Sequence, residues 1–270
     1  MAEEKYPLNP NLEYVLPVRC GGLANQWFQI MAGEIYAMIN NKICVITKET
    51  QNSHNTHHQE YAETVFRRTK FVDDIPFKKF TFFPQVVGFE EWEPWHIPGN
   101  VILRGYFQYY PLLEKHKEFV LNYFLEGFHQ FLVPPTMKVG LHIRRQDYIG
   151  NRDHPLCSEK YYRKSLNIFT DEIQEYGISI FSDDISWCKN QDFLKNIQNV
   201  EFIDESNELK VMGLMVSRQG GFICSNSTYA WLGAWAGTHQ AGNIITVPRK
   251  WYIPKDASNL IPREWIIVEE

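Results

Sequence analysis

The chain has 270 residues, above the size at which a single hydrophobic core comfortably holds, so two lobes are expected. Hydrophobic residues at 44% and charged residues at 22% are ordinary globular usage and exclude disordered, fibrous and coiled architectures. A formal net charge of -5 excludes a broad basic field for nucleic acid, so an anionic ligand must be held by locally placed cations.

Residues 13–19 read as a short strand, broken by Gly21-Gly22. Leu23, Trp27, Ile30, Met31, Ile35 and Met38 then recur at helical spacing, with Asn40-Asn41 as the stop and a buried strand over 42–47 (KICVIT). This strand, turn, helix and strand resemble half of a nucleotide-type α/β fold. From 51 to about 100 the pattern weakens into histidines, prolines and aromatics such as Phe82, Phe83, Trp92 and Trp95, which read either as core or as a platform for a sugar. A strand is expected over 101–107 and a helix from Pro111 carrying Leu112, Leu113, His116, Phe119, Val120 and Tyr123. Pro134-Pro135 marks the expected boundary between a lobe over 1–133 and one over 134–270.

Beyond it the alternation is regular. Strands are expected over 138–143, 177–182, 199–204, 221–225 and 243–247, and helices over 159–175, 184–195, 207–217 and 228–238. Alternation of this kind implies a parallel sheet wrapped by helices. Cys20, Cys44, Cys157, Cys188 and Cys224 form no CxxC pair, and their odd number fits a reduced compartment. The first twenty residues lack a signal-peptide pattern, and no stretch approaches the roughly 20 apolar residues of a bilayer span. A cytoplasmic chain with no transmembrane anchor is the expectation.

Ligands of open parallel sheets bind outside the carboxyl ends of the strands, and three of those ends are unusually polar: 139–147 (VGLHIRRQD), 181–184 (FSDD) and 224–228 (CSNST). His142 and Arg144 alternate along a strand end and so share a face. The planar forks of Arg144 and Arg145 suit the oxygens of a diphosphate; ion pairs to Asp147 or to helix acids are the plainer use of the same charges. Among Ser182, Asp183 and Asp184 one residue is expected to cap a helix, leaving a carboxylate for a purine base or ribose. Ser225, Asn226, Ser227 and Thr228 offer more donors than one cap requires, at a helix start that receives phosphate or sugar oxygens. Gly22, Asn25 and Gln26 stand in a glycine turn that would let a ligand approach the backbone, and they are expected among the residues that bind the donor.

Metal chemistry has no support in the sequence. Asp73-Asp74 and Asp183-Asp184 are adjacent pairs rather than the DxD step common in metal-using sugar transferases, and His54, His57 and His58 lack an acidic or cysteine partner at ligand spacing. GxSxG and HExxH are absent as well.

Taken together, GGLANQWFQ at 21–29, GYFQ at 105–108, GLHIRRQDY at 140–148, FSDD at 181–184, SNSTYAWLGAW at 225–235 and VPRKWY at 247–252 resemble the motif series of glycosyltransferase family 11, the α-1,2-fucosyltransferases. The resemblance spans about 230 residues, departing where Ala24 and Leu232 replace the family's glycine and aromatic. It implies a GT-B-like α/β fold of two Rossmann-like lobes with parallel sheets. It further implies a GDP-fucose substrate, no cofactor, no required metal and inverting transfer to an oligosaccharide acceptor. By that analogy His142 and Asp183 or Asp184 contact the guanosine, Arg144 and Arg145 the phosphates, and the 225–228 run the diphosphate, with the acceptor on the N-terminal lobe. Arg144 would be the chief catalytic residue, and Asp147, beside two arginines, only a poor candidate base.

Overall fold

The computed structural model describes residues 8–9, 11–47, 58–72, 77–241 and 243–269. Two compact units make up the chain, Met1–Gly127 and Phe128–Glu270, so the division falls ahead of the Pro134-Pro135 step.

The first unit begins with β1 (Tyr14–Pro17), α1 (Leu23–Asn40) and β2 (Ile43–Thr47). Gly21, at φ 76, turns the chain into α1, and Asn41, left-handed at φ 52, ends it by donating its N–H to Ala37 O. The helical spacing buries Leu23, Trp27, Ile30, Met31 and Ile35. A Cβ on Gly33 would lie 2.6 Å from Pro17 and 2.9 Å from Cys44 Sγ, which is how closely α1 rests on the sheet. There follow α2 (His58–Glu63), β3 (Lys70–Val72), β4 (Thr81–Phe82), β5 (Val101–Leu103), α3 (Tyr110–Lys115) and α4 (Lys117–Phe128). The sheet runs β3-β2-β1-β5-β4 with every pair parallel.

Two expectations change here. The strand over 101–107 stops at Leu103, because Gly105 at φ 138 and Phe107 at φ 52 leave the extended region. The helix opened by Pro111 breaks at His116, whose φ of -116 separates α3 from α4. Among the aromatics, Phe83, Trp92, Phe107 and Tyr110 are core, while Phe82 and Trp95 are exposed. His54, His57, Asp73 and Asp74 lie outside the described residues.

The second unit contains β6 (Val139–Ile143), α5 (Glu159–Ile168), α6 (Thr170–Tyr176), β7 (Ile178–Ser182), α7 (Ile185–Cys188), α8 (Asp192–Lys195) and β8 (Val200–Phe202). It ends with α9 (Glu208–Val216), β9 (Phe222–Ile223), α10 (Thr228–Ala241), β10 (Ile245–Pro248) and β11 (Ile266–Val268). Ser158, Asp184 and Asn207 cap α5, α7 and α9 with side-chain oxygens. The expected helix over 159–175 breaks at Phe169, whose φ of -110 and buried ring interrupt it. That over 184–195 is two short pieces, α7 and α8, and β11 is an addition to the expected strands.

All neighbours in the order β11-β10-β9-β6-β7-β8 are parallel. Counted within the unit this is the Rossmann strand order, which reverses between β6 and β9. Val139, Leu141 and Ile143 face a core shared with Tyr161, Tyr162, Ile178 and Ile180, and His142 alternates to the opposite face. A Cβ on Gly140 would meet the Phe222 ring at 2.3 Å, so the glycine lets β6 and β9 approach.

Candidate functional site

The strand order reverses between β6 and β9, the kind of position at which doubly wound sheets bind ligands. His142 stands there, 3% exposed, with Nδ1 2.7 Å from Ser225 Oγ. Burial, assisted by the Arg144 charge, pushes its pKa down to about 3, so the ring is neutral at physiological pH. Ser225, Asn226 and Ser227 are buried with it, and Ser227 O accepts from Trp231 N at the first turn of α10, which starts at Thr228.

The two arginines follow directly. Arg144 Nε donates to Asp147 Oδ1 at 2.8 Å and lies 3.3 Å from Asp183 Oδ2. Burial opposes the Arg144 cation, but the bond to Asp147 and the charge of Asp183 outweigh it and raise the pKa. Arg145 Nε pairs with Asp184 Oδ2 at 3.3 Å, and its guanidinium carbon is 3.7 Å from the Trp187 ring centroid. Each guanidinium group thus spends only its Nε on hydrogen bonds to the neighbouring acids. Their Nη nitrogens have no hydrogen-bond partner among the described residues. The ion pairs to nearby acids and an open fork for an anion coexist in the same side chains.

Asp183 is a structural staple. Its Oδ1 accepts from Arg145 N at 2.9 Å and its Oδ2 from Gln146 N at 3.1 Å, and Gln146 Nε2 returns to Asp183 O. Asp184 accepts from Trp187 N at 3.0 Å as the cap of α7. Around both lies an open cleft of about 510 Å³ lined by Gln146, Ser182, Asp184, Ser186, Asp204 and Glu205, among others. Asp204, Glu205 and Ser206 are a fourth polar strand end, following β8, that the sequence reading passed over although the strand before it was placed. The signal was available: the same rule that singled out the other three ends applies to this one.

Beside the arginines, two loops meet over Asn226. Its side-chain amide donates to Pro155 O at 2.8 Å and to Trp251 O at 3.1 Å, and its carbonyl receives the Cys157 thiol at 3.3 Å. Ile253 N donates to Asp153 O at 2.9 Å. The Tyr148 and His154 rings stack with centroids 5.0 Å apart, the Tyr252 ring packs tilted against His154 at 4.9 Å, and the Arg144 guanidinium carbon lies 5.8 Å from the Tyr148 centroid. Tyr148 OH donates to Asn226 O at 2.9 Å. His154 Nδ1 is buried without a partner, and burial lowers the pKa of the ring.

In the first unit the strand order also reverses, between β1 and β5, and the chain leaving β1 carries Gly22, Asn25 and Gln26. Gly22 is the extended cap of α1, with φ -74 and ψ 177. Gln26 is fully buried, accepting from Arg19 Nη1 at 3.1 Å and donating to Gly21 O at 2.9 Å. Asn25 Oδ1 accepts from Gln108 Nε2 at 2.8 Å, which ties the glycine turn to the segment after β5. Arg19 is buried as well, and desolvation lowers its pKa to about 10. Neither amide of the turn is therefore an idle surface group.

Among the described residues no group of three or more His, Cys, Asp and Glu is placed to hold a metal ion, and no helix is long and apolar enough to cross a membrane. All five cysteines carry free thiols. The second unit thus offers two fixed cations with open amino groups, a helix start rich in hydroxyls and a cleft walled by carboxylates. Such a site suits a ligand that is anionic at one end and rich in hydrogen-bond donors at the other.

Residues 105–268 match the sequence model of glycosyl transferase family 11. An alpha-1,2-colitosyltransferase of Escherichia coli is 32% identical over 143 residues, 50% of this chain and 49% of that protein. The O-antigen biosynthesis glycosyltransferase WbnK of Escherichia coli is 30% identical over 188 residues, 63% of this chain and 61% of that protein. The chain thus spans about half to three-fifths of the length of these curated relatives. The crystal structure of fucosyltransferase NodZ from Bradyrhizobium superposes with a TM-score of 0.50 at 10% identity, covering 83% of this chain and 93% of that one, a likeness of fold. With the two parallel sheets it gives an α/β fold of the GT-B type.

Proposed function

The chain belongs to glycosyl transferase family 11, and from that premise we propose that it moves L-fucose from GDP-fucose to a hydroxyl of a glycan acceptor, O2 of a galactoside, with inversion and without a metal. The observation that carries the reading is the pair of arginines at the tip of β6, fixed through Nε with their Nη groups open, because a departing diphosphate needs that fixed positive charge. The acid-walled cleft supports a guanine nucleoside, whose base edge and ribose present donors to carboxylate acceptors.

In this reading Arg144 and Arg145 hold the diphosphate, aided by Ser227 and Thr228, while the side chains of Ser225 and Asn226, spent on His142 and on the two loops, shape the turn that presents them. His142 and Asp183 or Asp184 serve the nucleoside side, joined by Asp204 and Glu205. The lobe over 1–133 receives the acceptor. The acceptor oxygen attacks the anomeric carbon from the face opposite GDP; the carbon–oxygen bond to the phosphate breaks, its electrons stay on GDP, and the hydroxyl proton passes to a base or to water. Asp147, held by Arg144, is a poor proton acceptor for that step.

A relative named for colitosyl transfer favours a second reading, in which the same site carries a different deoxyhexose on GDP. Calorimetric titration of GDP, UDP and ADP in excess EDTA, on the native protein and on Arg144→Ala, tests the first step. GDP-selective binding that weakens in the variant supports the site; binding without base preference, or indifferent to Arg144, removes it. Turnover of GDP-fucose with a galactoside, followed by linkage analysis of the product, then separates the two donors and tests the linkage.

A further inference from the structure

The first unit carries a surface that the transferase reading leaves unused. One face of its sheet holds Tyr14, Leu16, Val45 and Ile102, with Phe77 packed against them. The layer continues past its cover at the sheet edge. Phe77 and Phe80 have centroids 6.1 Å apart and Phe80 and Phe82 5.1 Å apart, yet Phe80 is 39% and Phe82 44% exposed. The cations Lys78, Lys79 and Arg104 flank this pair, all exposed and without an ion-pair partner among the described residues. Arg104 lies with its guanidinium carbon 4.1 Å from the Phe82 centroid, so an apolar ring and a charge share one spot.

We propose that this strip, Phe80 and Phe82 flanked by Lys78, Lys79 and Arg104, docks the protein on the surface of an anionic lipid bilayer. Although the chain as a whole bears a net charge of -5, these cations make no ion pair among the described residues and stand around exposed aromatics, an arrangement complementary to an anionic boundary with an apolar layer beneath it. The phenylalanine rings enter the boundary between headgroups and acyl chains while the cations meet the lipid phosphates. β4 is the last strand of its sheet and only two residues long, so it offers rings and charges rather than a ladder for a further strand.

Cosedimentation with vesicles tests the surface, using one preparation of phosphatidylcholine and one of phosphatidylcholine mixed with phosphatidylglycerol. Binding is expected only to the mixed vesicles. Each cation at such a surface is worth about a fivefold gain in partition, so Lys78→Glu with Lys79→Glu should cost roughly 25-fold or more. Phe80→Ser with Phe82→Ser should cost about tenfold, with the thermal midpoint of each variant showing that it is folded. Absence of binding by the native protein overturns the proposal. So does binding that survives in the Phe80 and Phe82 variant, which would make it a charge effect alone, or binding to polygalacturonate in place of vesicles, which would make the strip an acidic-glycan site. Because none of these readouts involves a nucleotide, their failure is distinct from failure of the transferase reading.

Discussion

His142 Nδ1 and Ser225 Oγ, 2.7 Å apart, join the tips of β6 and β9 across the reversal of strand order. Folded, the His142 ring titrates at about 3; released, at its ordinary 6.5. Between those values the unfolded chain binds more protons, so the contribution to stability is full above about pH 6.5 and is lost as pH falls toward 3. His142→Gln is expected to flatten unfolding free energy against pH over that window, measured by denaturant titration at several pH values. GDP affinity of the native protein should show no titration of this ring between neutral and mildly acidic pH.

Arg144→Lys and Arg145→Lys keep charge but not the fork. A lysine amine can pair with the neighbouring acid or meet a phosphate oxygen, whereas each arginine does the first through Nε and leaves two nitrogens for the second. Turnover of GDP-fucose is expected to fall by about 10²–10³ in Arg144→Lys, with a smaller fall in Arg145→Lys. Steady-state rates for the two variants, beside calorimetric GDP affinity, check it.

Asp183 and Asp147 should part company on substitution. Asp183→Asn leaves one acceptor oxygen for two backbone N–H groups and removes charge from beside Arg144, so a loss of about 1–3 kcal/mol in unfolding free energy is expected. Asp147, with a side chain 59% exposed, makes a surface pair worth less than about 1 kcal/mol. Asp147→Asn should keep nearly full turnover. Loss of turnover at normal GDP affinity would identify Asp147 as the base.

His154 should act through its ring. His154→Phe keeps the stack between Tyr148 and Tyr252 and removes a buried nitrogen that has no partner, so stability should hold or rise. His154→Ala opens the stack beside Arg144. A fall in kcat with GDP affinity little changed is expected for the alanine variant, with rescue by phenylalanine. If phenylalanine is as impaired as alanine, the nitrogens and not the stack are what matters.

Periodicity carried much of the architecture. The apolar spacing of α1, its stop at Asn41 and the strand-and-helix alternation from β6 to β10 were legible because each is set by local sequence. Helix breaks at His116 and Phe169 were not, since both are single residues leaving helical φ inside segments with helical spacing, without a proline or glycine to announce it. The two-residue strand β4 and the late strand β11 depend on partners distant in sequence. Within the site, HxRRxD and FSDD marked strand ends plainly. That Asp183 spends both oxygens on the backbone of Arg145 and Gln146 is a tertiary fact that no spacing encodes.

Because the amide of Asn226 holds Pro155 O and Trp251 O together, the loops over 149–157 and 249–257 are mechanically one body. Neither can swing out without stranding a buried donor, so opening is a single collective event with one rate rather than the beating of two separate flaps. Hydrogen exchange at Ile253 N–H, which bonds Asp153 O across the seam, reports that event, and Asn226→Ala should quicken it in both loops at once.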